Sequence, residues 1–276
     1  NSTETEFVDQ PTNSTILGAA KFSGKTKNGW SLGLLESITG NMYADIEDLA
    51  GNERSELVEP LTNYIVGRVQ KDFNERNSFI GGIFTATNRN IPDNLNFLRS
   101  SAYTGGVDFK HSWKNRNYYV EGNIVGSHIT GSQQAIERTQ NSITHLFQRV
   151  DASHVDVDPD RTSLTGSGGK LALGKAGGGN WRYDGGVIWR SPELELNDIG
   201  FLRQADEIKQ TANVRRLFIK PTNFYRRANL ALSQYSTFDF DGNYNRIQYE
   251  FQGFINYKNN WWTEVGAAHK PRIFSN

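Results

Sequence analysis

The chain of 276 residues carries 30 basic and 30 acidic side chains, and this balance excludes the electrostatic footprint of a nucleic-acid or polyanion binder. It has no cysteine, which removes disulfides, thiolate zinc sites and thiol catalysis together, and no window approaches the about 18 consecutive apolar residues of a helical membrane span. Only 36% of the residues are hydrophobic and the mean hydropathy is -0.61, yet 16 Phe, 11 Tyr, 6 Trp and 27 Gly are present, a mixture suited to strands with one aromatic and one polar face.

Residues 1–14, NSTETEFVDQPTNS, are polar, contain a proline and are expected to form a loop or linker ahead of a β-barrel region over 15–276. From Thr15 two alternating runs, ILGAAKFSGKT and WSLGLLESIT, flank Lys27-Asn28-Gly29, and Asn-Gly between such runs is the strongest short-range hairpin signal. Residues 40–58 read as a long acidic connection. Pro60–Phe73 and Ser78–Arg89 form the next pair, joined by NERN, and the loop 90–100 leads into SAYTGGVDFKHSWKNRNYYVEGNIVGSHIT. There Tyr103, Gly105, Val107, Phe109 and Trp113 alternate with Thr104, Gly106, Asp108, Lys110 and Ser112. Beyond the turn Lys114–Asn117, Tyr118, Val120, Gly122 and Ile124 alternate with Tyr119, Glu121 and Asn123. Only a strand sorts residues with a period of two, so this is an antiparallel hairpin with one greasy face and one charged face. Its arms run to roughly 12 residues where an ordinary strand has about 5 to 6, a length that suits a tilted crossing of a bilayer.

GSQQAIERTQNS after Thr130 predicts a short helix inside a loop that extends to about Arg161, with His145–Val150 and His154–Asp158 as candidate extended segments. Ser163–Lys175 and Trp181–Arg190 form a hairpin around Ala176–Gly179 and repeat the same sorting. The connection SPELELNDIGFLRQ precedes Asp206–Ile219 and Tyr225–Ser236, and the last pair is Tyr244–Tyr257 and Trp261–His269.

About 12 strands result, and their connections alternate short, long, short, long. A soluble meander has no reason to put every long loop at one end, whereas an outer-membrane barrel does. By the same rule Asn1 and Asn276 are expected at the long-loop, extracellular end, whereas a self-contained bacterial barrel keeps both termini in the periplasm. The expectation is therefore a fragment with further strands before and after it, both sheet edges open.

The stretches ILGAAKFSGKTKNGWS, EPLTNYIVGRVQKDF, IGGIFTATNR, AYTGGVDF, DPDRTSLTGSGGKLALGKAGGGNWRYDGGVIWRSPELELNDIGFLRQAD and FYRRANLALSQ resemble the C-terminal barrel region of a Bacteroidota family described as a domain of unknown function, usually found after a carbohydrate-binding family 9-like module. The resemblance covers nearly the whole chain and SPELELNDIGFLRQAD is its most specific part. It implies an outer-membrane barrel and an N-terminal module outside this chain. It supplies no reaction and no catalytic motif.

Several residue groups invite a chemical reading. Arg68, Asp108, Lys110, Glu121, Arg182, Asp184, Arg190, Arg246, Glu250 and Glu264 fall on the polar strand faces and are expected to line the lumen, as a solute path or as a packed, ion-paired interior. Glu193, Glu195 and Asp198 invite a pair flanking a sugar bond, but sequence spacing says nothing of their separation in space, and a loop folded over the barrel mouth is the preferred account of them. Asp156, Asp158 and Asp160 form D-x-D-x-D without the glycine and closing glutamate of a calcium loop. The Gly174–Asn180 run is a hairpin turn rather than a phosphate cradle, and the histidines at 111, 128, 145, 154 and 269 lack metal-ligand spacing. No cofactor is expected. Five tryptophans, at 30, 113, 181, 261 and 262, lie near short turns, where an interfacial aromatic belt belongs; Trp189 is the exception.

These observations predict an all-β fold: a transmembrane antiparallel up-and-down β-barrel of the outer membrane of a Gram-negative bacterium, about 12 strands of it in this chain, part of a larger barrel. It would act as a channel, an anchor or a component of an envelope assembly linked to carbohydrate handling, and not as an enzyme. Its partners would be outer-membrane lipid or lipopolysaccharide and other outer-membrane or periplasmic proteins. A soluble all-β carbohydrate-active enzyme or carbohydrate-binding domain is the alternative from another class, and a purely structural scaffold is the third.

Overall fold

The computed structural model describes residues 6–273. In chain order the strands are β1 (Phe7–Asp9), β2 (Ile16–Lys25), β3 (Trp30–Thr39), β4 (Met42–Glu47), β5 (Glu53–Glu59), β6 (Thr62–Phe73), β7 (Ser78–Arg89), β8 (Arg99–Trp113), β9 (Tyr118–Gly131), β10 (Ser163–Lys175), β11 (Trp181–Arg190), β12 (Glu207–Phe218), β13 (Tyr225–Phe238), β14 (Tyr244–Tyr257) and β15 (Trp262–Ile273). One helix, α1 (Gln133–Gln140), lies between β9 and β10, where its Ser132 cap accepts from Ala135 N at 3.1 Å.

Twelve strands, β2, β3 and β6 to β15, make a single antiparallel sheet in which each pairs with the next, β3 meeting β6 across the β4–β5 excursion. Every hairpin expected from the alternation is present. Among the described residues β2 and β15 are the two edges and do not pair with each other, as expected of both edges, and the sheet is not closed into a barrel. A barrel needs those two ladders to meet directly or through further strands. Asn1 and Asn276, expected at the long-loop end, fall outside the described residues.

Two segments expected as loops contain strands. Within 1–14, β1 pairs with β4, and within 40–58, β4 and β5 form a hairpin, giving a three-stranded sheet of order β1-β4-β5. Asp48 closes that hairpin by accepting from Ala50 N and Asn52 N at 2.8 and 2.9 Å. The period of two was present in Met42, Ala44 and Ile46, but it is brief and diluted by acids, while the partner of β1 lies more than 30 residues downstream. Conversely, neither His145–Val150 nor His154–Asp158 is a strand: the first is a series of turns with Phe147 N tied back to Gln140 O at the end of α1, and the second is irregular.

Register sorts the faces. Phe109, Leu171 and Val187 stand on the apolar side in one row, running from Ile80 through Phe109, Gly122 and Leu171 to Val187, and Val214, Leu232 and Phe251 share another. The opposite side is charged near the short turns but apolar near the long loops, where Ala102, Ile129 and Leu164 sit opposite one another on β8, β9 and β10. Ile136 of α1 and Phe147 cover that patch, with Val155 and Val157 against it. Each fully buried side chain of this kind contributes about 2 kcal/mol, so the patch draws residues 132–162 onto the sheet.

Candidate functional site

On the strands, charges of the polar face pair across the sheet. Arg68 on β6 reaches over β7 to Asp108 on β8, with Nη1 at 2.5 Å from Oδ1 and Nη2 at 2.9 Å from Oδ2. Its route passes above Gly81, where a Cβ would lie 2.5 Å from Arg68 Nη2. Glu121 on β9 accepts from Lys110 at 3.0 Å and Lys170 at 2.7 Å, drawing β8, β9 and β10 into one cluster. Arg190 pairs with Glu207, and Asp184 accepts from Asn213 at 2.7 Å. Four other residues selected from the sequence stand apart from these pairs. Arg182 turns back to the carbonyls of Gly178 and Gly179, while Arg246 and Glu264 are exposed. Glu250 accepts from Gln248 Nε2.

The connection 191–206 folds back over the same face. Leu194, Leu202 and Ala205 pack with Val125 and Leu196, and the approach is close enough that a Cβ on Gly168 would fall 2.7 Å from Leu194 Cδ2. Beside this contact Glu195, with its side chain 3% exposed, lies 3.1 Å from His145 Nε2 and 3.3 Å from Arg99 Nη1. His145 Nδ1 lies 2.7 Å from the Pro192 carbonyl, which can only accept, so Nδ1 carries a proton. Burial pushes the Glu195 carboxyl up. The His145 hydrogen bond, the Arg99 charge and the Asn197 N–H together outweigh it and hold the group below the ordinary carboxylate value.

Arg99 also faces Asp198, Nη2 to Oδ2 at 3.1 Å, a charge contact off the hydrogen-bond axis, and Arg89 donates to Asp198 Oδ1 at 2.7 Å. Odd-numbered β8 residues such as Tyr103 lie on the apolar side, so strict alternation would send Arg99 there too. The irregularity between Arg99 and Ser101 shifts the register by one and turns Arg99 to the polar side. A second lock forms on Asp206, which accepts from Arg149 at 2.7 Å and Phe240 N at 3.0 Å and lies 2.9 Å from His154 Nε2. Arg161 donates to Glu193 at 2.8 Å, and Ala205 N to the Thr144 carbonyl at 2.8 Å. Residues 132–162 and 191–206 are thereby joined to each other as well as to the sheet. A cleft of about 580 Å³ remains beside them, lined among others by Tyr64, Arg89, Phe97, Arg99 and Arg138.

The three carboxylates that suggested a sugar-cleaving pair are therefore each bound by cations, and an ionised Glu195 is the opposite of what a general acid requires. Asp158 accepts from Asp160 N at 3.0 Å within its own turn, and no group of three metal-ligating side chains forms among the described residues. Trp30, Trp113, Trp181, Trp261 and Trp262 are exposed beside the short turns. Arg89, Arg99, His145, Arg149, His154 and Asp206 carried no motif in the sequence. Their only local signal was the alternation of Leu194 and Leu196 with Glu193 and Glu195, which marks a connection with one side to bury.

Among protein families, the model described as a domain of unknown function (DUF5916) matches residues 1–275. No curated protein and no solved structure matches the chain.

Proposed function

The chain belongs to that family, and for it we propose a membrane role: the twelve-stranded sheet is a wall of an outer-membrane β-barrel whose interior is closed at the long-loop end by residues 132–162 and 191–206. The observation that carries this reading is the exposed apolar face. Val107 and Leu173 are each 58% exposed, and Ile80, Phe84, Ile124, Leu171, Leu232 and Val265 on neighbouring strands are also open. Soluble monomers rarely expose a contiguous apolar patch beyond a few hundred Å². Lipid provides the cover that such a face lacks in water, and the charged face with its ion pairs becomes the interior. Exposed Trp30, Trp113, Trp181, Trp261 and Trp262 at the short-turn end support an interfacial belt on the periplasmic side.

The same reading makes the protein a plugged channel or anchor in a Bacteroidota outer membrane, in contact with lipid and lipopolysaccharide, with the carbohydrate-binding family 9-like module preceding it. The ion-paired plug favours anchoring or gated passage over free diffusion, and the cation-bound carboxylates support a role without catalysis.

Cysteine-free sequence makes the test direct. In the full chain, single cysteines at Val107, Leu171 and Leu232 are expected to react with a bilayer-soluble maleimide and resist a charged one, whereas cysteine at Asp108 shows the reverse preference. Recovery of the protein in the soluble fraction, with Val107→Cys open to the charged reagent, would overturn the reading in favour of a soluble all-β domain.

A further inference from the structure

Beside the connection 191–206, the polar face of β11 to β14 holds a second cavity of about 600 Å³. We propose that it binds a small solute through an oxyanion group, carboxylate or phosphate. The inference goes beyond the membrane reading and does not depend on it.

The cavity's cations are not balanced by its anions. Lys209 on β12 sits opposite Thr237 on β13, and Thr237 sits opposite Arg246 on β14, so two cationic side chains flank one short threonine in a single cross-strand row. Arg203 lines the same space from the connection before β12. Arg203, Lys209 and Arg246 make no ion pair and no side-chain hydrogen bond among the described residues; Lys209 only stands over the Tyr235 ring, 5.7 Å from its centre. The two carboxylates present compensate them only in part, since Glu207 is taken by Arg190 and Glu250, which accepts from Gln248, leaves three cations facing one negative charge.

Like charges brought together on one sheet face repel, and the polar face elsewhere avoids this by interleaving Asp108 and Glu121 with their cations. Here the missing partner is an anion from outside. Two guanidinium forks and one ammonium supply planar, two-pronged donors and a point charge, the set that grips carboxylate or phosphate oxygens. The volume lies within the roughly 300–1,000 Å³ range of small-molecule sites. Lys209 on β12 and Arg246 on β14 stand on the two strands hydrogen-bonded to either side of β13, so their backbones are held in place before the solute arrives.

Calorimetric titration of the purified full chain with citrate, inorganic phosphate and glucose tests the proposal. Saturable, salt-sensitive binding of citrate, phosphate or both is expected, with none for glucose. Binding of citrate alone assigns carboxylate solutes and binding of phosphate alone assigns phosphorylated ones. Arg203→Gln, Lys209→Gln and Arg246→Gln are each expected to weaken binding by about tenfold, as loss of a charge-assisted hydrogen bond predicts. Arg226→Gln, at the short-turn end, leaves affinity unchanged. Thermal protection by the same anions provides a second readout on each variant. Absence of saturable binding to the wild-type chain, or equal affinity in an Arg203→Gln/Arg246→Gln double variant and the wild type, overturns the proposal.

Discussion

Gly166 and Leu194 meet backbone to backbone: a Cβ on Gly166 would fall 2.1 Å from the Leu194 nitrogen. The connection 191–206 therefore lies directly on β10, with no side chain between them. Gly166→Ala must lift that connection. We expect a loss of about 1–3 kcal/mol, typical of overpacking, and rapid proteolysis within 191–206. Gly105→Ala, which has open space around its Cβ, serves as the control and should leave both unchanged.

Glu195→Gln keeps the shape but removes the buried carboxylate that Arg99 pairs with and His145 faces. Removing one member of a buried ion pair costs about 3–5 kcal/mol, so thermal unfolding should drop clearly. The pH response follows from the lowered carboxyl value. Between the folded and the ordinary value of 4.5 the unfolded chain binds more protons, so stability rises with pH there. The contribution is complete above the ordinary value and lost as pH falls through the depressed one. Melting curves of wild type and Glu195→Gln should converge in strong acid. Parallel curves from neutral pH down to strong acid would contradict this account.

Asp108 and Asp198 separate by burial. The Arg68–Asp108 pair has side chains 35% and 25% exposed, so Asp108→Asn should cost no more than about 1 kcal/mol. Asp198, 6% exposed and facing both Arg89 and Arg99, should cost about 3–5 kcal/mol on the same change. Equal losses in denaturant titrations would show that exposure does not govern these pairs.

Leu171 and Lys170 are neighbours on β10 that point to opposite faces. In a bilayer Leu171→Arg should cost about 2–4 kcal/mol and reduce the amount assembled in membranes. Lys170→Arg keeps the charge beside Glu121 and should assemble normally. Comparable assembly of the two variants would place the Leu171 side in water.

The left-handed residues Asn74, Glu75 and Arg76, with φ of 52, 54 and 62°, turn the β6–β7 hairpin. Glu75→Gly should stabilise by about 1 kcal/mol, because glycine adopts this region without a Cβ clash. An unchanged or lowered melting temperature would mean that Glu75 makes a compensating contact.

The strand alternation of Tyr103 to Trp113 and its repeats was enough, by itself, to determine the twelve strands of the large sheet and their hairpin pairing, though not β1, β4 and β5. A period of two can be satisfied by one backbone only, and short turns leave antiparallel neighbours no other partner. The sequence could not reveal that β1 finds β4, that Arg99 is turned by a bulge, or that Glu195 and Asp198 of one connection meet Arg89, Arg99 and His145 of three other segments. These are contacts between residues about 30 to 110 positions apart, and nothing local encodes them. Only the assembled sheet brings Ala102, Ile129 and Leu164 into one apolar patch, and burying that patch is what carries residues 132–162 inward. The charges then follow the fold: once buried, Glu195, Asp198 and Asp206 each meet a cation, and the tertiary structure decided which one.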